Sequence, residues 1–200
     1  MVKKIFNKLF GVKSISNTSP EFFNASGNLV HGNNCDLKNL NITLSNAVPG
    51  NVNVEIGNDC ILSCLIELQS PNAKVIIGDG VFIGPGTRIF CYDKIVFEND
   101  IMVSWGCTFI DTNAHSLNSE ERKNDVRDWM KGPGNKNWSV VKHSPVTIKS
   151  KSWVGFNSII SKGVTLEEGT VIASGSVVSK STESYSVYGG NPAVFLKKTE

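Results

Sequence analysis

The chain has 200 residues, of which 40% are hydrophobic and 19% charged, the proportions of one ordinary folded domain rather than of a disordered segment. Its 20 basic residues nearly cancel its 18 acidic ones, leaving a net charge of +2, which argues against nucleic acid as a partner, since tracking phosphates takes a clustered positive surplus. No apolar run approaches the roughly 20 residues of a bilayer-crossing helix. The opening "MVKKIFNKLF" is broken by Asn7 and Lys8 and shows no export signal, so the sequence reads as cytoplasmic.

In chain order, residues 1–13 predict a short amphipathic helix, with Ile5, Phe6, Leu9 and Phe10 opposed by Lys3, Lys4, Lys8 and Lys13. Covering the open end of whatever follows is its favoured use, and contact with an anionic membrane surface is the alternative. Residues 1–53 are assigned to this helix and to capping or first coils. Blocks restarting about every 20 residues then begin at Ile56, Ile77 and Phe97, each with a paired six-residue step, Ile56 to Leu62, Ile77 to Ile83 and Phe97 to Val103. Between Phe109 and Val146 the rhythm stops. This stretch, with its loop at 116–145, carries many charged residues together with Trp129 and Trp138, and reads as a long excursion. From Ile148 the period returns without a miss: Ile148, Val154, Ile160, Leu166, Ile172 and Val178, with Ser152, Ser158, Val164, Thr170 and Ser176 four residues after the first five. The tail "YGGNPAVFLKK" leaves the pattern and is expected to close the far end.

A six-residue period suits neither a helix nor an ordinary alternating strand. It predicts an all-β solenoid of very short parallel strands, a triangular prism in which one aliphatic side chain per face points to the axis and a small residue fits each corner. The five cysteines, Cys35, Cys60, Cys64, Cys91 and Cys107, form no C-x-x-C pair and are expected as small buried hydrophobes. With only three histidines, His31, His115 and His143, and no two close together, no metal site is expected. "GPGTRI" and "GPGNKN" lack the third glycine and the setting of a nucleotide-binding loop, so their glycines read as turn residues.

At "HSLNSEERK", "WVGFNSIISKGVTLEEGTVIASGSVVSK" and "GGNPA" the chain resembles the hexapeptide-repeat acyltransferases, nearest the galactoside, maltose and capsular-polysaccharide O-acetyltransferases. The resemblance covers about residues 54–198. It implies a left-handed parallel β-helix, an exception to the right-handed crossover rule, and a homotrimer binding acetyl-CoA between neighbouring prisms. It also implies His115, in "DTNAH", as the base that deprotonates an acceptor hydroxyl, a task a neutral imidazole suits near pH 7. His31 and His143 read as surface residues.

For the saccharide acceptor the resemblance implies Asp93 as a hydrogen-bonding carboxylate, whose other reading is a solvated corner residue. It implies Trp138, and with weaker support Trp129, as an aromatic face for a pyranose ring. Asp111 either holds the approach to His115 or caps a turn. For acetyl-CoA it implies Ser174 on the pantetheine arm, Ser179 and Lys180 at the phosphates, and Lys197 where an arginine often stands, a change that loses the bidentate fork. Phe156 replaces a common serine in "WVGF", where a backbone N–H can still meet an oxyanion. Cys107, at a corner, is expected to be buried and not to serve as a covalent nucleophile. Other acceptors stay open: an amino sugar on a nucleotide, serine or an antibiotic. A β-helix that only binds is the rival of another class, against which His115 and "SGSVVSK" count.

Overall fold

The structure, a computed structural model, describes residues 13–16, 28–44, 51–132 and 135–199. It is a left-handed parallel β-helix of about seven turns, with three sheets as the faces of a prism. The first face stacks Lys13–Ser16, Asn41–Leu44, Leu65–Leu68, Arg88–Cys91, Thr108–Ile110, Ile159–Ile160 and Val177–Val178. The second stacks Leu29–His31, Val54–Ile56, Lys74–Ile77, Lys94–Phe97, Val146–Ile148 and Thr165–Leu166. The third stacks Ile61–Leu62, Phe82–Ile83, Met102–Val103, Trp153–Val154, Val171–Ile172, Ser186–Gly190 and Ala193–Lys198.

The six-residue period is the chain length between inward positions on successive faces. Ile148, Val154, Ile160, Leu166, Ile172 and Val178 are all at most 1% exposed. Each such side chain contributes about 1.5–3 kcal/mol when taken wholly out of water. The small residues four positions on are buried too, and their hydroxyls satisfy the backbone where it turns. Ser152 Oγ donates to the Lys149 carbonyl at 2.7 Å, and Ser158 Oγ and Ser176 Oγ donate to the Ala173 carbonyl at 3.2 and 2.5 Å. Neighbouring coils press close at these corners. A Cβ on Gly155 would stand 2.7 Å from the Ser174 nitrogen, so only glycine fits there.

Strand register also places the cysteines. Cys35 and Cys60 precede the paired residues Asp36 and Ile61 and share a corner column with Val81, Ile101, Ser152 and Thr170. Cys64 and Cys107 share another with Thr87, Ser158 and Ser176. They are corner residues of the same kind as the later serines and threonines.

The two ends are finished differently. Residues 1–12 of the expected N-terminal helix lie outside the described residues. Lys13 opens a strand, antiparallel to Asn41–Leu44, which covers an edge of the first face. At the other end Ser186–Gly190 extends the third face in parallel and Ala193–Lys198 folds back on it as an antiparallel hairpin, the closure expected of the tail. Among the described residues no helix is long and apolar enough to cross a membrane.

Inward and outward positions should respond oppositely to truncation. Ile160→Ala is expected to cost about 2–5 kcal/mol in urea unfolding, whereas the outward Thr165→Ala should change stability by about 0.5 kcal/mol or less.

Candidate active site

Steps from the second to the third face are six residues throughout, but the corner from the first to the second face is widened in the coils up to the excursion. Ile66 to Ile77 and Ile89 to Phe97 each exceed six residues, and Phe109 to Ile148 holds the excursion. Asp111 stands at its departure, in register with Cys91. It is fully buried, and its carboxylate accepts the N–H groups of Tyr92, Asp93 and Lys94 at 2.9, 2.7 and 2.9 Å. Burial raises its pKa above the ordinary aspartate value against the pull of those bonds. Of its two expected uses, this geometry is that of a turn cap. No face of the carboxylate is left for an acceptor.

The excursion is ordered by its own short elements: α1 (Ser119–Arg122), α2 (Asp125–Met130) and a 3-10 turn, Trp138–Val140. Asn118 caps α1 by accepting the Glu120 N–H at 3.0 Å. Ser116 Oγ donates to Glu121, and the Arg122 guanidinium donates to the Ser116 carbonyl at 2.5 Å. These contacts fix the chain just beyond His115.

His115 is half-buried, with 36% of its side chain exposed, and its Nδ1 lies 2.5 Å from Oδ2 of Asp125, whose side chain is only 10% exposed. An ionised carboxylate can only accept, so Nδ1 carries the hydrogen and, in the neutral ring, Nε2 has the lone pair. The edge of the ring meets Trp129 at 5.3 Å between centroids. A ring held in this way can accept a proton at Nε2. Asp125 was only one of many loop charges in the sequence, with no motif to single it out.

The other expected acceptor residues gather nearby in an unexpected pattern. Trp138 stacks on Tyr92 at 4.7 Å, and the Lys136 ammonium stands 4.1 Å over its ring and 5.0 Å over that of Trp129. Both indoles are therefore already engaged by protein groups in this conformation. Asp93 is half-exposed and lies 3.2 Å from His143 Nδ1, and His143 tilts against Tyr92 at 5.1 Å. His143 is thus an exposed residue that joins the cluster, while His31 stands far down the second face, on Leu29–His31. A cleft of about 360 Å³ is lined by Asn113, Ser116, Leu117, Glu121 and Lys142, among others, the residues flanking His115 in the chain rather than His115 itself.

The expected cofactor residues occupy two corners. Phe156 and Ser174 sit on successive coils between the third and first faces, where the Gly175 N–H donates to the Phe156 carbonyl at 2.8 Å. Trp105 stacks on Phe156 at 5.1 Å with the planes 4° apart. Ser179 and Lys180 follow Val177–Val178 at the corner from which the excursion leaves, two coils from the His115 strand, roughly 10 Å along the axis. Lys197 is exposed on the terminal hairpin. Among the described residues no three His, Cys, Asp or Glu side chains converge as metal ligands.

No family model matches the chain. A Lysinibacillus sphaericus protein named as a macrolide acetyltransferase is 52% identical over 46 residues, which span 23% of this chain and only 26% of that relative. WcaF of Escherichia coli, named for an acetyltransferase of colanic acid biosynthesis, is 22% identical over 144 residues, 72% of this chain and 69% of WcaF. Among solved structures, a variant of AntD, an N-acyltransferase from Bacillus cereus in complex with dTDP and coenzyme A, matches with TM-score 0.65 and 22% identity over 92% of each chain. The polySia-specific acetyltransferase NeuO matches with TM-score 0.60 and 24% identity over 86% of this chain and 82% of its own. The hexapeptide-repeat acetyltransferase VCA0836 of Vibrio cholerae matches with TM-score 0.57 and 18% identity over 99% and 79%. The fold is that of the hexapeptide-repeat acyltransferases.

Four of the five thiols are withdrawn from solvent. Cys107 is fully buried, and burial pushes the Cys64 thiol up to about 12 and raises those of Cys60, Cys91 and Cys107. Only Cys35 is partly exposed. Titration of the native protein with an aromatic disulfide reagent should therefore label Cys35 alone, the other four reacting only after unfolding.

Proposed function

We propose that the protein is an acetyl-CoA-dependent O-acetyltransferase acting on a hydroxyl of a saccharide, a cell-surface or capsular polysaccharide or its precursor. The observation that carries this reading is the His115–Asp125 pair, which leaves Nε2 free on a half-exposed ring. A hydroxyl must surrender its proton as its oxygen attacks, whereas a neutral amine attacks first and sheds its proton afterwards, so an oriented base is of most use to a hydroxyl acceptor.

In the proposed step Nε2 of His115 takes the acceptor proton while the acceptor oxygen bonds to the thioester carbonyl carbon. Asp125 holds the ring and balances the imidazolium. As the tetrahedral intermediate collapses the C–S bond breaks, and His115 returns the proton to the departing thiolate. No covalent enzyme intermediate is required. Asp93 is the proposed acceptor carboxylate, with His143 beside it. Trp129 and Trp138 shape the acceptor side, Trp138 meeting a sugar by its edge.

Phe156 and Ser174, with Ser179, Lys180 and Lys197, are the proposed contacts for acetyl-CoA as co-substrate. Gly175, next to Ser174, faces open space, and Ser174, Ser179, Lys180 and Lys197 are all exposed, so the surface admits an extended ligand carrying phosphates. The two sets stand on different corners of one prism, as expected if the ligand lies between two copies and touches one corner of each. A homotrimer is proposed on the same ground. Ile61, Met102 and Trp153, each at least 50% exposed, belong to one in-register outward row on the third face, and Trp105 and Phe156 continue it around the corner. Such a stripe needs a partner surface.

Acceptor-dependent release of thiol from acetyl-CoA is the direct test. His115→Ala should lower turnover by about 10²–10⁴-fold with the calorimetric affinity for CoA nearly unchanged, and loss of CoA binding in that variant would refute the assignment. A second reading, N-acylation of an amino sugar, is favoured by the likeness to AntD. A panel pairing sugars with their amino analogues separates the two by which acceptor drives release.

Light scattering on the full chain is expected to give the trimer mass. Changing Met102 and Trp153 together to Lys should shift it to monomer, and a wild-type monomer would remove the shared groove.

A further inference from the structure

Lys136 is the one lysine buried among the described residues, at 5% exposure, and the chemistry above leaves it without a task. A buried ammonium persists only where the protein supplies what water would. Four groups do so here in part, while burial still lowers the Lys136 pKa below the ordinary lysine value. The carbonyl of Ala114 accepts a hydrogen bond from Nζ, the rings of Trp129 and Trp138 bracket the charge at 5.0 and 4.1 Å, and Asp125 attracts it.

Ala114 immediately precedes His115 and has φ +58°, the left-handed conformation that a residue with a Cβ adopts only when its surroundings hold it. Two bonds hold it. Its N–H donates to Thr112 Oγ1 at 3.0 Å, and its carbonyl accepts from Lys136. The His115 N–H, in turn, donates back to the Asn113 carbonyl at 2.6 Å. The direction in which the His115 ring leaves the backbone is thus set at Ala114. One cation touches both the peptide that aims the ring and the field of the carboxylate that fixes its tautomer.

We propose that Lys136 is a positioning residue for His115, clamping the left-handed Ala114 peptide so that the imidazole meets Asp125 and presents Nε2 outward. This rests on reading His115 as the base. The charged and titratable groups around the clamp are Asp125 from α2, His115 itself and, across Trp138, Tyr92 from the first-to-second corner. The two indoles carry no charge.

The test uses full-length protein with 15N-labelled histidine, the His115 signals being assigned by their loss in His115→Ala. Wild type should show a slowly exchanging, downfield Nδ1 proton on His115. Lys136→Met, which keeps the apolar stem and removes the charge, should lose that proton while the signals of His31 stay in place. Lys136→Arg should retain it. Because glycine adopts positive φ without help, adding Ala114→Gly to Lys136→Met should recover part of the signal, a rescue that mere loss of packing would not give. In turnover Lys136→Met should lower kcat by about tenfold to a hundredfold with KM for acetyl-CoA nearly unchanged. An unaltered His115 ring signal in Lys136→Met overturns the proposal, as does rescue absent from the double variant. The spectroscopic arm needs no turnover, so a wild type that transfers no acetyl group would sink the acetyltransferase reading while the clamp is still decided.

Discussion

Everything in this molecule depends on the pairing of very short parallel strands with the coil above and the coil below. A strand such as Trp153–Val154 or Ile159–Ile160 has two residues and could not persist alone; its backbone groups are satisfied because Met102–Val103 and Val171–Ile172, or Thr108–Ile110 and Val177–Val178, lie on either side in register. That register forces side chains into columns. A column favours residues of similar size, so that cysteine, serine, threonine and valine, with one isoleucine at Ile101, share the corners while isoleucine, valine, leucine and phenylalanine occupy the axis. Phe97 and Phe109 meet edge to face at 4.9 Å inside it, filling one coil where the excursion interrupts the chain.

The same pairing limits where the chain can leave the prism. Departure costs least at a corner that is already wide, and the first-to-second corner is the one that runs longer than six residues before the excursion. Asp111 makes the departure possible. Placed where a coil would otherwise put an apolar residue over Cys91, its carboxylate gathers three backbone N–H groups of the turn below and closes that turn from above. A buried carboxylate is tolerated when its lone pairs are used in this way. Removing it would open the floor on which Asp93, Tyr92 and, through Tyr92, Trp138 rest.

What could be read from the sequence follows the same physics. The fate of Ile160 or Ser158 is decided by neighbours one coil away, so a fixed period announces both; the prism, its corners and the burial of four cysteines were legible, whereas Cys35, expected buried with them, is partly exposed at the first described coil. Inside the excursion no period exists. His115 meets Asp125 ten residues on, and Lys136 reaches back twenty-two residues to Ala114. Nothing in the intervening residues signals either contact. Trp138 was expected to offer a free face, but stacking on Tyr92 and a nearby ammonium engage its ring. His143 read as an isolated surface residue because its partner Asp93 is fifty residues away. Phe156, Ser174, Ser179 and Lys180 were visible only through resemblance, since an outward corner residue carries no mark of what it touches.

The candidate base stands at the seam between these two regimes, and that position has a mechanical meaning. On its prism side His115 is tied to coils whose geometry is fixed by many mutually dependent bonds. On its other side it is tied to a segment held by a few specific ones: Asp125 to the ring, Lys136 to the preceding carbonyl, Glu121 and Arg122 to Ser116. A rigid floor fixes where the ring can be, while the excursion decides which way it points and which nitrogen carries the proton. Changes in the excursion can therefore retune the base and the acceptor side without disturbing a single core column, whereas changes in the columns alter stability before they alter chemistry. A fold made of nearly identical coils can acquire a specific site by this separation, because the residues of the excursion are free of the repeat.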